Sequence, residues 1–90
     1  MTDDGIERVK SLIASILEPT LVANNIRTSE LRDDFDLRVA GLVDSLGFVQ
    51  LLAALETRLG RQVDVAELAP DQLTQVGPLA RHIARRRPAS

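Results

Sequence analysis

The sequence predicts an all-α fold: a four-helix bundle with a long loop between the first and second helices and a short third helix. Three observations predict it. Leu, Val, Ile and Ala supply nearly all of the 44% hydrophobic content while aromatics are only 2%, the make-up of helices packing aliphatic ridges rather than of aromatic-rich strands. Apolar residues recur at spacings of three and four over long stretches. Pro19, Gly60 and the Gly77-Pro78 pair punctuate the ends of those stretches. At 90 residues the chain is expected to form one domain over 1–90, frayed near 1–3 and 87–90, with a modest core and too little material to wall in a substrate pocket.

The first helix is predicted over residues 4–18. Ile6, Val9, Leu12, Ile13, Ile16 and Leu17 fall on one side and Glu7, Arg8, Lys10, Ser11 and Ser15 elsewhere, which is one buried stripe on an amphipathic helix. Asp4 with Glu7 three residues on has the form of a capping box, and Pro19 stops the helix. From Pro19 to Asp44 the period is lost. A connection of that length in so small a domain either packs down or works, so Leu21, Val22, Ile26, Leu31, Phe35, Leu37, Val39 and Leu42 are expected to fold onto the helices, with a short helical turn near residues 28–32.

Asp44 or Ser45 opens the second helix, which runs to about Leu59 and ends at Gly60, suited to the left-handed conformation after a helix. Residues 63–73 form the short third segment, broken by Pro70. Gly77-Pro78 starts a fourth helix through Leu79 and Ile83 to Arg86, with Pro tolerated in the first turn because its missing N–H is not needed there. Arg85, Arg86 and Arg87 read as a solvated basic end.

Composition narrows the function. A net charge of -2 and the near absence of aromatics argue against a nucleic-acid binder. With no Cys and one His, a metal site is not expected. The N-terminus MTDDGIERVK is acidic and polar where a signal peptide is basic and then apolar, and no run approaches a membrane span, so the cytoplasm is the expected location.

The informative stretch is GLVDSLGFVQLL, residues 41–52. At about 100° per residue, Phe48, Leu51, Leu52, Leu55 and Leu59 share one face of the second helix, while Leu46, Val49, Gln50, Ala53 and Thr57 share roughly the opposite one. The first set is larger and is assigned to the core. The second is then either an exposed docking strip or a face covered by the long loop; periodicity alone supports both. Ser45 after Asp44 reads first as a helix cap. A helix N-terminus is also where a phosphate is favoured, Gly47 keeps the first turn uncrowded, and Arg38 is a nearby cation or simply a loop arginine.

Asp44-Ser45-Leu46 at the head of a Leu-rich helix, Gly60 after Leu59, and two shorter helical segments beyond it together resemble the phosphopantetheine-binding carrier proteins of acyl, peptidyl and aminoacyl transfer, over nearly the whole chain. The resemblance implies a non-enzymatic carrier. It implies that Ser45 is the hydroxyl modified by a phosphopantetheinyl transferase to bear 4'-phosphopantetheine, that Asp44 and Leu46 belong to the recognition motif, and that Leu46, Val49, Gln50 and Ala53 face partner enzymes. Absence of Cys agrees, since the thiol arrives with the arm. Carriers of the fatty-acid type have a strongly acidic second helix, whereas here it holds a single acid, Glu56, beside Arg58. GLVDSLGFVQLL looks most like discrete aminoacyl or D-alanyl carriers, which implies an adenylating acyl or aminoacyl ligase, a downstream transferase, synthase or tailoring enzyme, and a monomer; an acyl carrier of polyketide or fatty-acid type is the alternative.

Two readings of other classes compete. A hydrolase using Ser45, His82 and Asp44 lacks a nucleophile-elbow motif and the chain to build an oxyanion hole; His82 reads instead as a surface or partly packed residue. An unmodified helical adaptor would use the second-helix face only to bind a partner.

Overall fold

The computed structural model describes residues 2–85 except 61, 67 and 70, with residues 2–4 and 85 described by their backbone alone. Among the described residues four α-helices follow one another, α1 (Thr2–Ile16), α2 (Glu18–Ala23), α3 (Ser45–Leu59) and α4 (Val76–Arg85), with a 3-10 turn at Thr28–Glu30. The all-α class stands, and α1 packs against both α3 and α4.

The stripe on α1 is buried as its spacing demands. Val9 and Ile13 are fully enclosed, Leu17 is buried, and Ile6, Leu12 and Ile16 pack around them. They meet Leu21 of α2, Leu37 and Leu42 of the long loop, Leu51 and Leu55 of α3, and Val76, Leu79, Ala80 and Ile83 of α4. Each fully buried Leu or Ile contributes roughly 1.5–3 kcal/mol of transfer free energy, so this cluster is the main source of stability.

Three boundaries differ from expectation. α1 begins at Thr2, so residues 2 and 3 are helical where a frayed end was expected and Asp4 lies inside the helix rather than capping it. Pro19 does not end the helical path. It interrupts the ladder at Leu17 and then sits in the first turn of α2, where its missing N–H costs nothing. Leu17 still donates to the Ile13 carbonyl at 3.0 Å and Leu21 to the Leu17 carbonyl at 2.8 Å, so the helical path carries on across the break and Leu21 is buried. The fourth helix is described to Arg85; Arg86, Arg87 and the expected frayed end lie outside the described residues.

The short third helix over 63–73 does not appear among its described residues, which are irregular, bend and turn. Asp64 Oδ1 accepts the Ala66 N–H at 2.9 Å, offering the backbone a local alternative to a helix, and Val63 and Val65 are weak helix formers. The fourth α-helix is instead α2.

The long loop is tied down rather than loose. Thr28–Glu30 supplies the expected helical turn, with Glu30 accepting the Arg27 N–H at 2.8 Å. Leu37 donates to the Thr74 carbonyl at 2.8 Å and Val76 to the Phe35 carbonyl at 3.0 Å, an isolated antiparallel bridge between Asp36 and Gln75. Leu37 is fully buried, and Ile26, Leu31 and Phe35 are half-buried, but Val22 and Val39 are exposed at 69% and 84%. These two were expected to fold inward and do not.

Candidate functional site

The backbone entering α3 is set before any polar residue acts. Leu42 and Val43 are buried, and both donate to the Leu37 carbonyl, at 2.9 and 3.3 Å. This fixes Asp44 in an extended conformation at the N-cap, where its Oδ1 accepts the Gly47 N–H at 2.6 Å. A side chain at 47 would bring its Cβ to 3.1 Å from that oxygen, so glycine leaves the cap its room. At the far end Gly60 takes the left-handed conformation, φ 71°, and donates to the Glu56 carbonyl at 2.8 Å, a standard glycine helix stop.

Ser45 follows as the first residue of the helix and is exposed. Its hydroxyl makes no hydrogen bond among the described residues. The cap is therefore Asp44, and the reading of Ser45 as a cap is set aside. Ser45 borders a cleft of about 180 Å³ lined also by Arg38, Asp44, Phe48, Leu73 and Thr74.

The two faces of α3 separate as their periodicity predicts. Leu51 and Leu55 are buried and Phe48, Leu52 and Leu59 pack against the core, while Leu46 and Val49 are 66% and 60% exposed and Gln50, Ala53 and Thr57 are exposed beside them. The loop does not cover this strip. Glu56, the single acid of α3, accepts the Val63 N–H at 2.9 Å through Oε2, which engages it with the connection to α4.

His82 does not join Ser45. Its Nε2 hydrogen-bonds the Asp64 carbonyl, and it is absent from the Ser45 cleft, so the hydrolase arrangement is not assembled. Arg38 does reach that cleft. Its backbone N–H and that of Val39 donate to Asp36 Oδ1 at 3.0 and 3.1 Å, and the Thr74 hydroxyl donates to the same oxygen at 2.7 Å. Burial pushes the Asp36 carboxyl upward, but the Thr74 and backbone hydrogen bonds outweigh it and hold the group below its ordinary range.

Residues 7–83 match the family model described as the phosphopantetheine attachment site. The chain belongs to the phosphopantetheine-binding carrier proteins. No curated protein and no solved structure matches it. Carriers of this family are not enzymes; they bear 4'-phosphopantetheine covalently on a serine, and its terminal thiol holds cargo as a thioester. The residues at the head of α3 fit such a group: an exposed hydroxyl with no hydrogen bond among the described residues, at the positive end of the helix dipole, with a cation in the adjoining cleft. No helix among the described residues of this carrier is long and apolar enough to cross a membrane.

Leu73, Thr74 and Asp36 were not singled out from sequence. Asp36 followed by backbone donors two and three residues on is the form of an Asx turn, which local sequence does offer. The approach of Leu73 and Thr74 to Ser45 rests on the bridge to α4 and has no local signal.

Proposed function

We propose that Ser45 is the serine that bears the arm, with Asp44 and Leu46 recognised by the phosphopantetheinyl transferase. The observation that carries this reading is the division of labour between neighbours: Asp44 caps α3, and Ser45 stands exposed with its hydroxyl unused. Leu46, Val49, Gln50 and Ala53 form the strip on which partner enzymes dock. Its support is their shared exposure on α3 beside Ser45, an apolar strip of the kind that marks interaction sites.

The cargo is an amino acid or a related carboxylate, delivered by an adenylating ligase and passed by the monomeric carrier to a transferase, synthase or tailoring enzyme. An acyl cargo of fatty-acid type is less favoured because α3 offers a basic partner no free carboxylate: Glu56 is engaged with Val63 and Arg58 is exposed, so electrostatic steering toward basic patches is weak.

Intact mass after incubation with a broad-specificity phosphopantetheinyl transferase and coenzyme A tests the assignment. Wild type gains one phosphopantetheinyl group and Ser45→Ala gains none. Equal gain by the folded variant would move the site to another serine; no gain by either would favour an adaptor that is not modified.

A further inference from the structure

The cleft beside Ser45 has a composition that the attachment reading does not use. One wall is apolar, from Phe48 of α3 and Leu73 of the turn before α4, both half-buried. The lining also holds one cation, Arg38, and one anion, Asp44. Arg38 is exposed, and its guanidinium makes no hydrogen bond or ion pair among the described residues, although its charge helps to hold the Asp36 carboxyl low. Its backbone is fixed all the same, because Asp36 Oδ1 gathers the Arg38 and Val39 N–H groups and the Thr74 hydroxyl. The turn that presents Arg38 is thus tied to Thr74, which lines the same cleft.

We infer that Arg38 is a positioning residue for the arm: its guanidinium pairs with the phosphodiester on Ser45 and lays the first part of the arm against Phe48 and Leu73. The inference rests on Ser45 being the attachment point. Electrostatics favours it, since a phosphodiester on Ser45 is an anion placed next to the Asp44 carboxylate, and Arg38 is the cation in the same cleft that offsets both. An arginine is also the side chain best suited to phosphate by geometry. Size limits how far the cover extends. At about 180 Å³ the cleft is well below the roughly 300–1,000 Å³ of pockets that enclose a whole ligand, so it takes the base of the arm and leaves the thiol end outside.

The test is nuclear magnetic resonance on isotope-labelled protein before and after loading with an unlabelled arm, in wild type and Arg38→Gln, with intact mass recorded on every sample. On loading, wild type shows shifts at the Arg38 side-chain N–H, Phe48 and Leu73, together with contacts between the arm's methyl protons and the Phe48 ring. In Arg38→Gln the mass gain persists and the Phe48 and Leu73 changes are lost. The unloaded variant keeps the wild-type spectrum elsewhere, because the contacts that hold this turn come from the backbone of residue 38. A full mass gain with no change at Phe48 or Leu73 in wild type would overturn the cleft, and unchanged shifts in loaded Arg38→Gln would overturn the role of Arg38. A missing mass gain would overturn the attachment reading itself and the inference with it.

Discussion

Asp44 Oδ1 accepts the Gly47 N–H at 2.6 Å, and this hydrogen bond relieves the intervening Ser45 of any part in holding α3. Removing the two side chains therefore has unequal effects. Asp44→Ala loses the cap and costs about 1 kcal/mol, whereas Ser45→Ala stays within about 0.5 kcal/mol of wild type. Urea denaturation of both variants checks this; a Ser45→Ala loss as large as that of Asp44→Ala would mean that the serine caps after all.

Gly77 lies against the loop so closely that an added Cβ would stand 2.6 Å from Asp33 Cβ and 2.9 Å from its Cα, whereas at Gly5 it would meet Ala84 at an ordinary 3.6 Å. Gly77→Ala should destabilise by about 1–3 kcal/mol through overpacking, since the crowded atoms include backbone. Gly5→Ala should stabilise by up to about 1 kcal/mol from helix propensity. Thermal denaturation of the pair gives shifts of opposite sign if these contacts are right.

Asp33 ties the long loop to two helices: it receives Lys10 of α1 and Arg81 of α4 through its carboxylate, and its carbonyl accepts the N–H of Gly77, also of α4, at 2.9 Å. The hydrogen bond from Lys10 is the main reason its carboxyl lies below the ordinary range; burial works against it, and the charges of Lys10 and Arg81 add to the lowering. A depressed folded value means that the stabilisation is present above the unfolded carboxyl pKa, about 3.9, and is lost as pH falls through the lower folded one. The stability gap between wild type and Asp33→Asn should therefore narrow as pH drops below about 4. At the alkaline end the same Asp33 partner raises Lys10 above 10.5, so the pair's contribution fades again as pH rises through that raised value. A gap independent of pH in urea titrations would remove Asp33 from this role.

Val49→Asp places a charge on the exposed strip without touching the core. Folding should change by less than about 0.5 kcal/mol and attachment of the arm should persist, while affinity for at least one partner enzyme falls tenfold or more, the cost of leaving a carboxylate in an apolar contact being above about 1.4 kcal/mol. Titration of loaded carrier against the proposed adenylating ligase, by calorimetry, reads this directly; unchanged affinities for every partner would dismiss the strip.

The helix faces were legible because side-chain period maps directly onto burial: the α1 stripe and both faces of α3 fell where their spacing put them. The Asp44-Ser45-Leu46 motif was legible from its place at the head of α3, though which residue caps required the 2.6 Å contact. Residues 63–73 failed because their apolar spacing resembles a helix while Asp64 diverts its own backbone into a turn. Pro19 failed because a proline marks a break without saying whether the chain restarts, and here Leu21 rewards the restart with burial. Val39 was counted as a core residue by its hydrophobicity, yet the turn closed by Asp36 points it to solvent.

Both ends of α3 are held by the rest of the chain. Upstream, Leu42 and Val43 hang from the Leu37 carbonyl while Leu37 is itself bonded to Thr74; downstream, Glu56 gathers Gly60 and Val63, and His82 holds Asp64. A helix fastened in this way has its backbone entropy already spent by folding. A partner docking on the proposed strip has only the rotamers of side chains such as Leu46, Val49 and Gln50 to freeze, about 0.5–1.5 kcal/mol for each flexible one, so under that proposal different enzymes would meet the same preorganised surface in succession without remaking it.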